Sequence, residues 1–339
     1  MGMSSEIGFT STVPVEILLA AGKTPVDLNN LFISQDRPLA LVEEAERAGF
    51  PASSCAWTKG VYAAAQRKGI RTVVAVIQGD CGNSRVLMEL WGLAGVRVLP
   101  FAYPPDRDRS FLSGQMERLM DQLGTCWEEV EAMRAKLRPL RQKLSLLDEL
   151  TWKTNQVDGY HNHLFLVRST DLGGDCRRFE EEIEVYLSQL PPPPPTPSEE
   201  VRLGYIGVPS ILTGLYQYLE SLKARVVFNE VQRQFSIPAA NSGLPESYLR
   251  YTYPYGTLER VGDIQQEIHR RGIQGLIHYV QSFCFRHLED MIFRRCLSVP
   301  ILTVEGDKPG EVDMRTRTRL EAFVDLLRGR EKRGGCLLG

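Results

Sequence analysis

The chain has 339 residues, enough for about two domains, and its 43% hydrophobic and 24% charged residues are typical of a globular protein. A formal net charge of −2 gives no reason to expect a nucleic acid or an anionic membrane surface as the main partner. No apolar run is long enough to span a bilayer, and the N-terminus lacks the charged-then-apolar layout of a signal peptide. We therefore expect a cytoplasmic protein.

Strands and helices alternate over residues 1–110, which we predict to form an N-terminal α/β domain. Ser53 or Ser54 is the predicted N-cap of the third helix, and Gly22 ends the first. The predicted strands are EIGFTS, TPVDLNN, TVVAVI and VRVLPF, and the helices between them are PVEILLAAG, RPLALVEEAERAGF, SSCAWTKGVYAAAQRKG and SRVLMELWGLAG.

Residues 111–198 are predicted to be a helical segment that ends in a proline-rich linker. The sequence is charged and periodic, and Thr125 followed by Glu128 forms a capping box at one helix start. Five consecutive prolines begin at Pro191 and favour a stiff polyproline spacer. We place a domain boundary near residue 198.

Residues 199–339 are predicted to form a second α/β domain. The two halves follow the same plan, although their residues do not match. The predicted fold is therefore α/β, with two Rossmann-like (flavodoxin-like) parallel-sheet domains and a helical middle segment. Its strands are VRLGYIG, RVVFNEV, IQGLIHYVQS and VPILTVEGD, and its helices are SILTGLYQYLESLKA, DIQQEIHRRG, RHLEDMIFRRCL and MRTRTRLEAFVDLLRG.

Three of the seven cysteines stand where a strand ends or a helix begins. Cys81 follows TVVAVI, Cys284 follows LIHYV, and Cys55 opens the helix CAWTKGVYAAAQ. The carboxyl ends of parallel strands form a ligand crevice, and a helix N-terminus favours the thiolate that binds soft metals. Three sulfurs would meet if the two halves faced each other across that crevice. The wide spacing has no local signature such as C-x-x-C, so buried structural cysteines are the alternative.

The odd number of cysteines and their irregular spacing argue against a disulfide framework in a reducing compartment. Cys126, Cys176, Cys296 and Cys336 have no assigned role, and we expect Cys126 and Cys296 to be core residues of amphipathic helices. His161 and His163 form an H-x-H, and His287 lies one turn after Cys284; local hydrogen bonds are the favoured interpretation over a second metal site.

Several segments together resemble the 2-hydroxyacyl-CoA dehydratase family, which includes hydroxyglutaryl-CoA dehydratase D-component subunits and benzoyl-CoA reductase subunits. The resemblance runs in order over nearly the whole chain. The segments are STVPVEILLAAGKTPV, SSCAWTKG, VIQGDCGNSRVLMELW with GVRVLPFAYP, IGVPSILTGLYQYLESLKARVVFNEVQRQF, and HYVQSFCFRHLEDMIF with PILTVEGDKPGEVDMRTRTRLEAF.

The resemblance implies that Cys55, Cys81 and Cys284 are ligands of one 4Fe-4S cluster. In the family the fourth iron has no protein thiolate and binds water or the substrate thioester carbonyl. A separate ATP-dependent iron–sulfur activator delivers one low-potential electron, which forms a ketyl radical on the acyl-CoA before water is lost. The chain has no G-x-x-x-x-G-K-[ST] loop, so ATP hydrolysis would come from that partner. The chain is expected to be a homodimer or one of two related subunits.

Other residues are weaker candidates. Ser11 and Asn29 follow the first two strands and are predicted to line the substrate crevice, with a turn or helix cap as the alternative. Trp57 and Lys59 follow the first ligand; the lysine either meets a phosphate or the cluster charge, or is solvated. Further candidates from family position are RQF at 233–235 and YLRYTYPYG at 248–256 as a substrate or dimer wall, and RTRTR at 315–319 for CoA phosphates, although pairing with the preceding acids is favoured there.

Two other functions are compatible with the sequence. The chain could keep the cluster but act only as an electron-transferring subunit, or as an ATP-driven reductase subunit with a substrate other than CoA. It could also be a cluster-free Rossmann-like binding protein. Calorimetry with acyl-CoA separates the first alternative from the dehydratase, and iron analysis separates the second.

Overall fold

The structure, a computed structural model, describes residues 5–193, 200–238 and 242–335. Cys336 and the part of the predicted polyproline spacer at 194–198 lie outside the described residues. The chain groups into two compact units. Unit 1 takes its residues from Met1–Ser145, Phe165–Ser188 and Gln234–Gly256, and unit 2 takes Leu146–Leu164, Gln189–Arg233 and Thr257–Gly339. The sequence-based boundaries at residues 110 and 198 stay a prediction.

The N-terminal elements alternate as the apolar pattern predicts. They are β1 (Glu6–Phe9), α1 (Val15–Ala20), β2 (Thr24–Asp27), α2 (Leu28–Ile33), α3 (Pro38–Arg47), α4 (Ala56–Lys68), β3 (Thr72–Gln78), α5 (Asn83–Leu93), β4 (Arg97–Ala102) and α6 (Arg109–Leu123). The helices that follow are α7 (Trp127–Trp152), α8 (Gly159–Arg168) and α9 (Cys176–Ser188), with a 3₁₀ turn at Leu172–Gly174.

The remaining elements complete the second sheet and its helices. They are β5 (Val201–Gly207), β6 (Leu212–Thr213), α10 (Leu215–Ser221), β7 (Ala224–Asn229), α11 (Glu230–Phe235), α12 (Leu244–Leu249), α13 (Thr257–Arg271), β8 (Gly275–Gln281), a 3₁₀ turn at Phe285–Leu288, α14 (Glu289–Cys296), β9 (Ile301–Gly306), β10 (Gly310–Glu311) and α15 (Met314–Gly335).

Each unit contains one four-stranded sheet, and all its strand pairs are parallel. The order is β2-β1-β3-β4 in unit 1 and β7-β5-β8-β9 in unit 2. Both orders place the first and third main strands side by side, as in flavodoxin-like sheets. A two-stranded parallel pair, β10-β6, adds to unit 2. The predicted α/β fold class is therefore confirmed.

Three of the differences from the sequence-based prediction lie close to the candidate residues. The predicted strand TPVDLNN ends at Asp27, because the Asp27 carboxylate accepts the backbone N–H of Asn29 and caps α2. Cys55, rather than Ser53 or Ser54, is the N-cap of α4. The segment after Cys284 begins as a 3₁₀ turn before α14 starts. Each difference is a matter of local hydrogen bonding that the apolar pattern does not record.

The core of each unit lies between its sheet and the helices that connect its strands. In unit 1 the buried side chains of Leu28, Val61 and Val73 belong to one cluster, which joins α2, α4 and β3. The strand β3 is buried over most of its length, as is typical of a parallel strand covered on both faces. In unit 2 an equivalent cluster includes Phe228, Leu276 and Phe293.

A close contact between helices fixes α4, the helix that Cys55 opens. Gly60 of α4 lies against the ring of Phe32 in α2, and the Phe32 side chain is fully buried. A Cβ atom at position 60 would overlap that ring. The small residue therefore sets the distance between the two helices.

We expect Gly60→Ala to lower the free energy of unfolding by about 1–3 kcal/mol, because the added methyl group overpacks the α2–α4 contact. The matched control is Gly114→Ala in α6, where a Cβ meets no atom within 4 Å. That control should raise stability by about 0.5–1 kcal/mol through better helix propensity. Urea unfolding measures both, and equal effects from the two substitutions would contradict the packing argument.

Candidate functional site

The carboxyl edge of the unit 1 sheet collects the candidate residues of that unit. β1 and β3 are neighbours, and Ser11 and Cys81 follow their carboxyl ends by two and three residues. α4 leads into β3 after Gly69, so its first residues lie at this same edge. The point where the strand order reverses is the usual ligand crevice of such a sheet.

Cys55 is held by the start of its own helix. Its side chain is only 8% exposed. The backbone N–H groups of Trp57 and Thr58 and the Thr58 hydroxyl lie near its sulfur, although the side chain forms no cap hydrogen bond with the start of the helix. Burial raises the pKa of the Cys55 thiol above its ordinary value, and these polar groups act against that rise. Nearby polar hydrogens therefore favour the thiolate, while burial keeps solvent away from the sulfur.

Cys81 lies in the turn between β3 and α5. Gly79 has φ +89°, and a Cβ there would come within 2.9 Å of Pro254 and Tyr103 side-chain atoms, so only glycine fits this turn. The backbone N–H of Asn83 donates to the Cys81 sulfur over 3.4 Å. The turn therefore presents Cys81 beside the first turn of α5.

A hydrogen bond joins the two cysteine-bearing helices. Asn83 Nδ2 donates to Thr58 Oγ1 over 3.1 Å, and the Thr58 hydroxyl lies near the Cys55 sulfur, where it acts against the burial that raises the pKa of the thiol. The two thiols are close enough that the charge of Cys81 contributes to the raised pKa of Cys55. The structure therefore brings Cys55 and Cys81 together, and Thr58 and Asn83 connect them.

Lys59 has a structural role beneath this pair. Its side chain is 1% exposed, and its Nζ atom lies 2.7 Å from Glu46 and 3.1 Å from the carbonyl oxygen of Ala52. These bonds tie the loop before Cys55 to α3 and α4. The expectation that Lys59 is solvated or meets a phosphate is wrong, because burial and pairing occupy its ammonium group.

Cys284 occupies the equivalent topological position in unit 2. It follows β8, the third main strand, by three residues, and its backbone N–H donates to Gln281 over 3.1 Å. His287 Nδ1 lies 2.5 Å from the Cys284 carbonyl oxygen, as expected for a local hydrogen bond. The preceding residue, Phe283, has φ +64°, a strained value for a residue with a side chain.

A buried ionic network holds the segment after Cys284. Arg260 is fully buried and bonds both Glu230 and Glu289. Glu289 also accepts from Arg286 over 2.9 Å, and Glu230 accepts the backbone N–H of Gly207 over 3.0 Å. The network links β5, α13 and the 3₁₀ turn after Cys284. It therefore holds this turn in place within unit 2.

The comparison with protein families agrees with this arrangement of residues. The chain matches the family described as 2-hydroxyglutaryl-CoA dehydratase, D-component, over residues 10–327. The chain belongs to this family. The sequence resemblance is thereby confirmed. No curated protein matches the chain. No described helix is long and apolar enough to cross a membrane.

The donor chemistry of the cysteine pair fits the iron–sulfur cluster expected for a dehydratase of this family. Two thiols lie together, and backbone N–H and hydroxyl groups point at their sulfurs, as the sulfur ligands of such clusters require. Within the described ranges, no three His, Cys, Asp or Glu side chains form a group able to hold a metal ion. Unit 1 supplies two thiols and unit 2 supplies Cys284, so the three-cysteine ligand set stays a prediction.

Ser11 and Asn29 differ in how many hydrogen bonds their side chains form. Asn29 Nδ2 donates to the Thr10 carbonyl oxygen over 2.9 Å and to Asp27, so its amide group braces the ends of β1 and β2. The half-buried Ser11 makes no hydrogen bond within the part of the chain that the structure describes. The neighbouring Thr12 hydroxyl is buried and also lacks a partner there. Sequence reasoning missed Thr12, which has no distinguishing signal beyond its place in STVP.

The other sequence candidates separate by exposure and pairing. Cys126 and Cys296 are exposed, so the expectation that they are core residues is wrong; both lie at helix ends rather than on the apolar face. His161 bonds Asp158 over 2.6 Å, and burial lowers the pKa of His163 to about 4, which favours local bonds over a second metal site. Arg233 pairs with Asp263, and Tyr248 is buried with its hydroxyl on Val13 and Glu16.

An acidic pair lies behind Asn29. The Asp171 carboxylate accepts the backbone N–H of Asp27 over 3.0 Å, and Asn30 donates to Thr170 beside it. Burial, followed by the charge of Asp27, raises the pKa of Asp171 to about 7. Burial also raises the pKa of Asp27. The base of the crevice therefore contains two carboxyl groups that resist ionising together.

We expect the free energy of unfolding to fall as pH rises from the ordinary value of 3.8 towards about 7, because the folded chain keeps a proton on Asp171 that the unfolded chain has lost. Asp171→Asn should flatten this dependence by about 1–2 kcal/mol while keeping the hydrogen-bond acceptor. Urea unfolding across this pH range measures it. Asp175→Asn, at an exposed helix cap, is the control; if both variants keep the wild-type slope, the assignment is wrong.

Proposed function

We propose that this chain is the cluster-binding subunit of a radical dehydratase that acts on a 2-hydroxyacyl-CoA. The observation that carries the proposal is the Cys55–Cys81 pair at the carboxyl edge of the unit 1 sheet, in a chain of the dehydratase D-component family. Cys284 supports it, because that residue follows the corresponding strand of unit 2.

Cys55, Cys81 and Cys284 would hold a 4Fe-4S cluster. When bound, the cluster would accept a low-potential electron and leave one iron open to the thioester carbonyl oxygen of the substrate. The chain's own groups do the rest. The backbone N–H of Asn83 donates to the Cys81 sulfur, and the polar hydrogens of Trp57 and Thr58 lie near the Cys55 sulfur, where they act against its desolvation.

The polar residues beside the pair are the candidates for substrate contact. The hydroxyl group of Ser11 is available to the acyl chain or its hydroxyl, and the buried Thr12 hydroxyl lies next to it in sequence. Asn29 keeps its carbonyl oxygen for a ligand while its amide nitrogen braces two strand ends. These groups would orient the acyl-CoA rather than transfer protons, since a neutral hydroxyl or amide is a poor base at neutral pH.

The proposed reaction needs two protein partners, an activator and a second subunit. Because the chain contains no phosphate-binding P-loop motif, the electron would come from a separate ATP-dependent iron–sulfur activator protein. The working form would be a homodimer, or a heterodimer with a related subunit, in the cytoplasm. The net charge of −2 gives neither a nucleic acid nor a membrane surface a place in this function.

We expect anaerobically purified protein to contain about four irons and a matching amount of sulfide per chain. Cys55→Ser, Cys81→Ser and Cys284→Ser should each lose most of that iron, because serine is a much weaker ligand for iron–sulfur clusters. The exposed Cys126 and Cys296 provide matched controls, and Cys→Ser there should leave iron and the EPR signal intact.

Two outcomes would favour the other functions. Colourless, iron-free anaerobic protein would favour a cluster-free binding protein. A cluster without any calorimetric binding of an acyl-CoA would favour an electron-transferring or reductase subunit. Loss of iron in the Cys126 or Cys296 variant, with iron retained in the other three, would remove the ligand assignment altogether.

We expect Thr58→Val to retain iron but to lower the reduction potential of the cluster. Valine keeps the size and branching of threonine and removes the hydroxyl that lies near the Cys55 sulfur and favours its thiolate, and polar hydrogens near cluster sulfurs stabilise the reduced, more negative form. Thr58→Ser keeps the hydroxyl and is the control. EPR-monitored redox titration compares them; identical potentials in the two variants would show that this hydroxyl does not tune the site.

A further inference from the structure

A cavity of about 630 Å³ opens at the carboxyl edge of the unit 2 sheet. Val280 and Gln281 at the end of β8 and Thr303 and Glu305 in β9 line it, and the segment that contains Cys284 forms one wall. Its volume is in the range of ordinary ligand pockets, and its place at the carboxyl ends of parallel strands is where such sheets bind ligands.

Two guanidinium groups line this cavity from α15. Arg315 and Arg319 are one helical turn apart, and both are exposed. Arg319 donates to the Thr303 carbonyl oxygen over 2.7 Å, and neither arginine forms an ion pair within the described residues. Arg317, between them, instead bonds the Val312 carbonyl oxygen and lies over the Tyr218 ring. The expected pairing with the preceding acids is present only at longer range: hydrogen bonds with Thr316, and then the charge of Arg315, lower the pKa of the exposed Asp313 carboxyl, without a direct ion pair.

The acids of the cavity do not cancel these charges. Asp290 accepts from Thr303 and Arg294 and lies 2.9 Å from His278, so its carboxylate is already neutralised within unit 2. Glu305 accepts from the Ser282 hydroxyl over 2.8 Å and is the remaining acid of the lining. The two guanidinium groups therefore face one acid, Glu305, whose charge is not already paired among the described residues. The lining keeps an excess of positive charge that favours an anionic ligand.

The aromatic wall adds a second recognition element. Phe283 lines the cavity, is 58% exposed, and has a left-handed φ of +64°. A large side chain in that conformation is strained, and exposure of its ring to water is unfavourable as well. An exposed aromatic face is a platform for a flat ring such as a purine.

We propose that the cavity binds an adenine nucleotide, with the purine on Phe283 and a phosphate group on Arg315 and Arg319. Paired guanidinium groups match phosphate oxygens in geometry and charge. That the nucleotide belongs to an acyl-CoA rests on the proposed function. An acyl-CoA bound here by its nucleotide end would place its thioester on the same edge of the sheet as Cys284. A free adenine nucleotide is the other source of the same chemistry.

The test is calorimetry on the anaerobically purified protein, whatever its iron content, with adenosine 3′,5′-bisphosphate, CoA, ADP, pantetheine and inorganic phosphate. Adenosine 3′,5′-bisphosphate and CoA should bind, and pantetheine should not. The double substitution Arg315→Gln with Arg319→Gln should weaken both nucleotides by about ten-fold or more. Phe283→Leu should weaken the nucleotides but leave inorganic phosphate unchanged. Arg295→Gln with Arg330→Gln, two exposed arginines outside the cavity, is the charge-matched control and should leave the binding of all ligands unaffected.

Tighter binding of CoA than of ADP supports a CoA source, and equal binding supports a free nucleotide; both support the site. Unchanged nucleotide binding in the double arginine variant, or affinity carried by pantetheine alone, overturns it. The result is separable from the proposed function, because nucleotide binding is read without turnover. Iron loss in the cysteine variants tests the cluster, whereas the arginine variants should keep full iron content whichever way the nucleotide experiment falls.

Discussion

The parallel order of the two sheets is the constraint on which the candidate site depends. In each unit the first and third main strands are neighbours and the connecting helices return the chain to the opposite edge, so the carboxyl ends of these strands meet. Ser11 and Cys81 follow such strands in unit 1, and Cys284 does so in unit 2. The candidate residues are thus concentrated at strand ends, while the strands themselves are mostly buried and apolar.

The cysteine pair of unit 1 combines burial with directed hydrogen bonds. Burial alone would keep the Cys55 thiol protonated, and N–H and O–H donors at its sulfur oppose that effect. Because Asn83 donates through its backbone to the Cys81 sulfur and through its side chain to Thr58, one residue joins the turn that contains Cys81 to the first turn of α4. A rigid, donor-rich pair is suited to soft-metal binding, since the protein need not reorganise when the ligands bind.

Buried ion pairs hold the segments beside the cysteines in both units. Arg260 with Glu230 and Glu289 fixes the turn after Cys284, and Lys59 fixes the loop before Cys55. Replacing such networks by apolar residues often costs no stability, so their value lies in specifying one geometry. The left-handed backbone of Phe283 and the buried carboxyl pair Asp27–Asp171 are also unfavourable for folding, and each lies near the carboxyl edge of its sheet.

The amino-acid sequence by itself determined the α/β class, the parallel pairing and the positions of Cys81 and Cys284 after a strand, because these follow from local apolar runs and turn residues. The family resemblance also came from sequence. The tertiary structure decided that Lys59 is buried, that Thr58 and Asn83 join two helices, and that Asp27 meets Asp171. These contacts link residues 25 to 144 positions apart, and no local pattern encodes such distances. They arise only when packed helices and strands bring distant polar groups out of water, where each must find a partner.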